Sequence, residues 1–111
     1  MHEISIMMSI LDTALEIAEN NQAKKIERIT IEIGDKSGVV KDALDFAFET
    51  VTRDTIAEGA VLDVIRIPLK GECSHCGHIF TSESFLVCDK CGNLGKMISG
   101  NELRIKSIEV N

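Results

Sequence analysis

CSHCGHIFTSESFLVCDKCG, residues 73–92, holds every cysteine of the chain in two copies of one pattern, Cys73-Ser-His-Cys76-Gly and Cys88-Asp-Lys-Cys91-Gly. A Cys-x-x-Cys turn puts two thiolates on one side of a tight loop. Two such turns supply the four soft ligands of a tetrahedral zinc ion. The glycine after each second cysteine predicts a positive φ there, which lets backbone N–H groups approach the sulfurs. The intervening HIFTSESFLV is long enough for a short hairpin that sets the two turns face to face. A redox pair would show a single Cys-x-x-Cys after a strand and opening a helix, and four thiolates leave no open position for a catalytic zinc. The expected site is therefore structural zinc on Cys73, Cys76, Cys88 and Cys91. His75 and His78 read as exposed loop histidines. His78 carries a second reading, as an alternative zinc ligand that replaces a thiolate and couples the site to pH or to a second metal.

On the amino-terminal side, residues 4 to 20 predict an amphipathic helix. Ile4, Met7, Leu11, Leu15 and Ala18 recur at spacings of three and four, Met8 and Ala14 widen the stripe, and Asn20-Asn21 offers a stop. IERITIEI (26–33) alternates as a half-buried strand with Ile29, Ile31 and Ile33 on one face, ended by Gly34-Asp35. A second helical pattern follows at Val40, Ala43, Leu44, Ala47, Phe48 and Val51, with Gly59 expected to close it. AVLDVIRIPL (60–69) predicts a strand that Pro68 demotes towards an edge. In the closing ELRIKSIEV, Leu103 and Ile105 share one phase and Ile108 and Val110 the other, which predicts a bulge near Ser107. The fold class is α+β: two helices on a small three-stranded sheet, with an inserted zinc-ribbon-like module. The expected boundaries are an α+β domain over 1–69, completed by the strand 101–111, and a zinc-binding module over 70–100. An insertion at a strand end is topologically cheap because its two ends can lie close together.

The whole chain of 111 residues is long enough for one modest core. Four Phe, no Trp and no Tyr make that core aliphatic and leave no platform on which bases could stack. The formal charge is −6, and phosphate binding needs clustered positive charge, so nucleic acid is not an expected partner. Residues 1–69 carry seven Lys+Arg against thirteen Asp+Glu, whereas residues 70–111 carry five of each. The acidity belongs to the helical part, where it can steer a positively charged partner. The apolar start lacks a basic leader region and a small-residue cleavage site, and it is too polar to span a bilayer. A cytoplasmic location with reduced thiols and no membrane association is the expectation.

Met1-His2-Glu3 adds a second candidate metal site. Methionine is trimmed ahead of small residues, so bulky His2 is expected to leave Met1 in place. A free α-amine, the His2 amide nitrogen and the His2 imidazole then lie within chelating reach. Such a nitrogen-rich set suits square-planar Ni(II) or Cu(II), and Glu3 adds a backbone nitrogen or a carboxylate.

Taken together, Met1-His2-Glu3 before an amphipathic helix, IERITIEIGDKSGV, the FAFE segment, the paired Cys-x-x-Cys motifs and the closing GNELRIKSIEV resemble the hydrogenase maturation nickel chaperone family, HypA/HybF. The resemblance covers essentially the whole chain. It implies nickel on Met1, His2 and Glu3, and structural zinc on Cys73, Cys76, Cys88 and Cys91. It also implies a non-enzymatic accessory protein that delivers Ni(II) to the hydrogenase large subunit precursor together with a nickel-handling GTPase. Some members have an acidic residue in the loop after the first strand. Here that stretch reads Ser37-Gly38-Val39-Val40-Lys41-Asp42, with valine in its place and Asp42 nearby.

The chain has no GxxxxGK[ST] loop and so is not itself a P-loop GTPase. Nucleophile elbows and paired-carboxylate motifs are likewise missing from the sequence. The alternative function is a zinc-ribbon adaptor of transcription or translation machinery, which expects a basic ribbon. The balanced charge of residues 70–111, with about −2 from a four-thiolate zinc centre, opposes it. A homodimer is left open by the sequence.

Overall fold

The computed structural model describes residues 3–82 and 85–111. Met1 and His2 of the expected nickel site lie outside them. The elements run α1 (Glu3–Asn20), β1 (Ile26–Gly34), a 3-10 turn (Asp35–Ser37), α2 (Lys41–Thr52), β2 (Val61–Ile67), β3 (Leu69–Cys73), β4 (Ile79–Ser82), β5 (Gly95–Ser99) and β6 (Leu103–Val110). They form two three-stranded sheets, ordered β2-β1-β6 and β4-β3-β5. This is the expected α+β class. β2, the strand followed by Pro68, is an edge strand. No helix among the described residues is long and apolar enough to cross a membrane.

The chain divides into two compact units. One comprises the described residues up to Ile31, together with Val39–Ile65 and Arg104–Asn111; the other comprises Glu32–Gly38 and Arg66–Leu103.

In the first unit, α1 and α2 pack on each other. The buried residues of α1 are Met7, Ile10, Leu11, Ala14 and Ala18. Ile10 joins the expected core stripe, whereas Ile4 and Met8 leave it, each 52% exposed. At 100° per residue the apolar arc of α1 is wider than one contact can cover, so its Ile4–Met8–Leu15 shoulder stays outside the core. Asn21 ends the helix by donating its side-chain amide to the Ile17 carbonyl at 2.8 Å, and Gln22 turns the chain with φ 56°.

On β1, Ile29 and Ile31 are fully buried, as is Ile26 at its start. The opposite phase carries Arg28, which bonds Asp63 of β2 and, through Nε at 2.7 Å, Glu109 of β6. This cross-strand triad is half-exposed, so it fixes register more than it stabilises. β6 runs through Ser107, with Ile105 and Ile108 as its half-buried positions.

α2 stops at Thr52, seven residues before the expected stop at Gly59. Thr52 turns its buried hydroxyl onto the Phe48 carbonyl at 2.7 Å, Arg53 is extended, and Asp54 takes φ 62°. Gly59, with φ 82°, ends the turns that follow. Ser/Thr hydroxyls bonded back to the helix compete with its continuation, which overrides the apolar periodicity.

Candidate metal centre

The second unit is built around the cysteines. β3 enters the first turn at Cys73 and β4 leaves it, pairing Glu72 with Ile79 and Gly71 with Phe80. An isolated bridge from Val87 to Leu94 brackets the second turn in the same way. Strands therefore close around each knuckle. The expected hairpin inside 78–87 is not what sets the knuckles face to face, because β4 pairs with β3 rather than with the chain that follows it. β3 is the central strand, and β5 completes the sheet with Cys73 opposite Gly95.

The two knuckles repeat one hydrogen-bond plan. Cys73 N donates to His78 O at 2.9 Å and Cys88 N to Asn93 O at 2.8 Å. Gly77 N donates to Cys73 O at 3.1 Å and Gly92 N to Cys88 O at 2.9 Å. Gly77 and Gly92 have φ of 76° and 80°, the conformation expected of them, which an L side chain rarely adopts. Each turn then aims two N–H groups at its first sulfur: His75 and Cys76 at Cys73 Sγ, Lys90 and Cys91 at Cys88 Sγ, all at 3.4 Å. Four partial positive charges thus face two sulfurs, which favours thiolate over thiol.

The sulfurs meet across the knuckles. Cys73 Sγ lies 3.4 Å from Cys91 Sγ, and Cys76 Sγ lies 3.7 Å from Cys88 Sγ. All four ligand atoms fall within 4.8 Å of one another. A tetrahedral ion with Zn–S bonds of about 2.3 Å needs sulfurs about 3.8 Å apart, so the residues fit such an ion. None of the four forms a disulfide. In each knuckle the first cysteine is buried and the second exposed. Each buried sulfur sits beside the exposed sulfur of the other knuckle.

Asn93 tunes the exposed side. Its side-chain amide donates to Cys91 Sγ at 3.3 Å. That bond, with the Asn93 backbone N–H and the Cys73 sulfur behind it, pulls the Cys91 thiol down to about 6. The Cys76 thiol is pushed up to about 11: the His78 backbone N–H lowers it, but burial and the three neighbouring sulfurs outweigh that bond. Asn93 escapes a reading based on ligand spacing, since only the fold brings its amide back to the sulfur.

Phe80 closes the site from behind. It packs with Cys73, Cys88 and Leu86. A Cβ on Gly71 or Gly95 would come within 2.9 or 2.7 Å of its ring. The glycines flanking this aromatic in neighbouring strands were the available signal for it. His75 is exposed, as expected of a loop histidine. His78 directs Nε2 to Asp89 Oδ1 at 2.9 Å and stacks its ring on Phe80, with centroids 6.4 Å apart. It ties the first knuckle to the second from outside the sulfur cluster.

Of the expected nickel residues the structure describes Glu3, which opens α1. Asp42 sits in the first turn of α2, while Val39 is buried and Val40 exposed.

Comparison with known proteins gives a family model over residues 1–110, described as hydrogenase/urease nickel incorporation, metallochaperone, HypA. A hydrogenase maturation factor HypA of Dehalococcoides mccartyi strain CBDB1 is 46% identical, covering 100% of this chain and 95% of the relative. The factor of the same name from Geobacter metallireducens is 45% identical over 99% of both. Among solved structures, the solution structure of the Ni metallochaperone HypA from Helicobacter pylori matches with a TM-score of 0.72 at 35% identity, covering 99% of this chain and 97% of that one.

Proposed function

We infer how metal is handled from the premise that the chain belongs to the HypA family: it is a nickel metallochaperone of hydrogenase maturation. The cargo is Ni(II), held by the Met1 amine, the His2 imidazole and backbone nitrogens, with Glu3 completing the set. The observation that supports this reading most is that Glu3 is the first residue of α1. The first amides of a helix have no intrahelical partner, so a deprotonated nitrogen there costs the helix no hydrogen bond. The positive helix terminus favours the negative charge such a nitrogen carries. A site on the leading edge of a helix can also be dismantled by a partner without unfolding a core.

The four-cysteine centre holds zinc as a structural ion, with Cys73, Cys76, Cys88 and Cys91 as ligands. The ion supplies cross-linking, while the knuckle N–H groups and Asn93 hold the sulfurs as thiolates. His78 is the reserve ligand if a thiolate is lost. Residues 1–69 with 101–111 act as the nickel-binding domain and residues 70–100 as the zinc module. The protein is an accessory factor and not an enzyme. It works in the cytoplasm with a nickel-handling GTPase and the hydrogenase large subunit precursor. The adaptor reading falls away with the family assignment.

Nickel titration of zinc-loaded protein by native mass spectrometry tests the cargo site. One Ni(II) per chain is expected with an authentic Met1. His2→Ala, or any residue added ahead of Met1, abolishes uptake and spares zinc. Unchanged stoichiometric uptake by the extended protein overturns the amine as a ligand.

A further inference from the structure

The shoulder of α1 that leaves the core lines an apolar groove of about 450 Å³ against α2. Ile4, Met8, Leu11 and Leu15 form one wall, and Val51 with Thr55 the other. Met8 and Ile4, each 52% exposed, are separated by one helical turn, as are Leu11 and Leu15. They make a straight apolar track along α1. Large aliphatic side chains left in such a row beside a groove mark a place for a partner.

Charge states what that partner is. At 100° per residue, Asp12, Glu16 and Glu19 fall on the arc of α1 directly beyond Met8 and Leu15. Asp12 itself lines the groove. α1 contains no Lys or Arg. The sole basic residue of α2, Lys41, is held by Asp45 at 2.7 Å. The track is therefore apolar with a purely acidic flank. A second copy of this chain would bring the same acidic flank against it, and an anionic lipid surface would be repelled. A helix with an apolar stripe at i, i+4 and i+7 and Lys or Arg beside it matches both features.

We propose that the α1–α2 groove is a docking site for a basic amphipathic helix of a partner protein. Binding buries Met8 and Ile4 and sets the partner's cations against Asp12, Glu16 and Glu19. Ile4 follows Glu3 directly, so a docked helix touches the first turn of α1, where the cargo site is read above. The docking surface stands without that reading.

The zinc-loaded full chain is titrated with a synthetic helix-forming peptide of leucines at i, i+4 and i+7 flanked by lysines. One control has glutamate for each lysine; a second scrambles the sequence at constant charge. The basic striped peptide binds about tenfold tighter than either, the weight of one buried aliphatic side chain or one close charge set. Its amide shifts map to α1 and the Val51–Thr55 edge, and added salt weakens it. Met8→Gln and Asp12→Lys each weaken it by about tenfold, while both keep their zinc and their nickel stoichiometry. Failure of docking is thus read separately from failure of the cargo site. Equal binding of the scrambled peptide, shifts mapping elsewhere, a dimer that Met8→Gln dissociates, or binding to phosphatidylglycerol vesicles that Met8→Gln removes would each overturn the proposal.

Discussion

A Cβ placed on Gly34 would lie 2.0 Å from the carbonyl oxygen of Gly100, so these two residues meet backbone to backbone. Around them Lys36 N donates to Gly100 O at 2.7 Å and Gly34 N to Glu102 O at 2.8 Å. The Glu102 carboxylate turns back to accept from Gly100 N at 2.8 Å. Gly100 is also held from the other side, where a Cβ would reach Leu69 Cα at 2.6 Å. This seam closes the second unit at the point where the chain enters β6.

Alanine at either position should destabilise the protein, for different reasons. Gly34 has an ordinary φ of −74°, so Gly34→Ala acts through collision alone. Gly100→Ala adds a strained φ of 117° to its collision. We expect each to cost more than about 2 kcal/mol, against about 1 kcal/mol for Gly59→Ala, whose Cβ meets nothing within 4 Å. Thermal unfolding of the zinc-loaded variants measures this, at roughly 4 °C per kcal/mol. Equal losses at positions 59 and 100 would refute the seam.

Removing the metal should melt the second unit and spare the first. Its buried cluster is Cys73, Phe80 and Cys88 with Leu86 at the side, too little apolar surface to order this segment unaided. Cys88→Ser removes one ligand and the sulfur that receives two knuckle N–H groups. Amide exchange across residues 70–100 should then become fast, while far-ultraviolet circular dichroism keeps the α1 and α2 signal. A metal-free protein still protected over this segment would contradict a metal-held module.

Asn93→Ala should weaken zinc at neutral and acidic pH. The donated bond holds the Cys91 thiol near 6, below its ordinary value of 9.0. The stabilisation it brings is fully present above the ordinary value and is lost as pH falls through about 6. Without the amide, protons compete better for the sulfur. The midpoint of acid-induced zinc release therefore moves to higher pH, and affinity at neutral pH drops by about tenfold or more, typical of a lost outer-sphere partner. Chelator competition followed across pH reads both, and an unmoved midpoint would remove Asn93 from the site.

Nickel binding should weaken sharply on mild acidification while zinc is retained. A free amine titrates at roughly 7.7–8.0 and an imidazole at roughly 6.5, and both must be deprotonated to hold the ion. Nickel affinity followed from alkaline to acidic pH should fall through that window. A flat profile would mean that neither group is a ligand.

The zinc ligands, both helices, the β1 core and the edge position of β2 were legible in the residues. Each depends on a local pattern: cysteines two apart within a turn, apolar spacing of three and four, alternation, or a proline without an N–H to donate. The extent of α2 was less legible, because hydroxyl bonds at Thr52 outweighed a periodicity that the chain carried further.

What the sequence determined by itself was chemistry set by near neighbours along the chain: four thiolates in two glycine-ended turns, an acidic helical half, and a Met-His-Glu start. Tertiary structure alone decided which sulfurs pair across the knuckles, that Asn93 serves Cys91 and His78 serves Asp89, and that Phe80 packs over Gly71 and Gly95. It also decided that Ile4 and Met8 line a groove and not the core. These relationships join residues by packing geometry, and a helix with an apolar arc wider than one contact does not say in its sequence which edge remains uncovered.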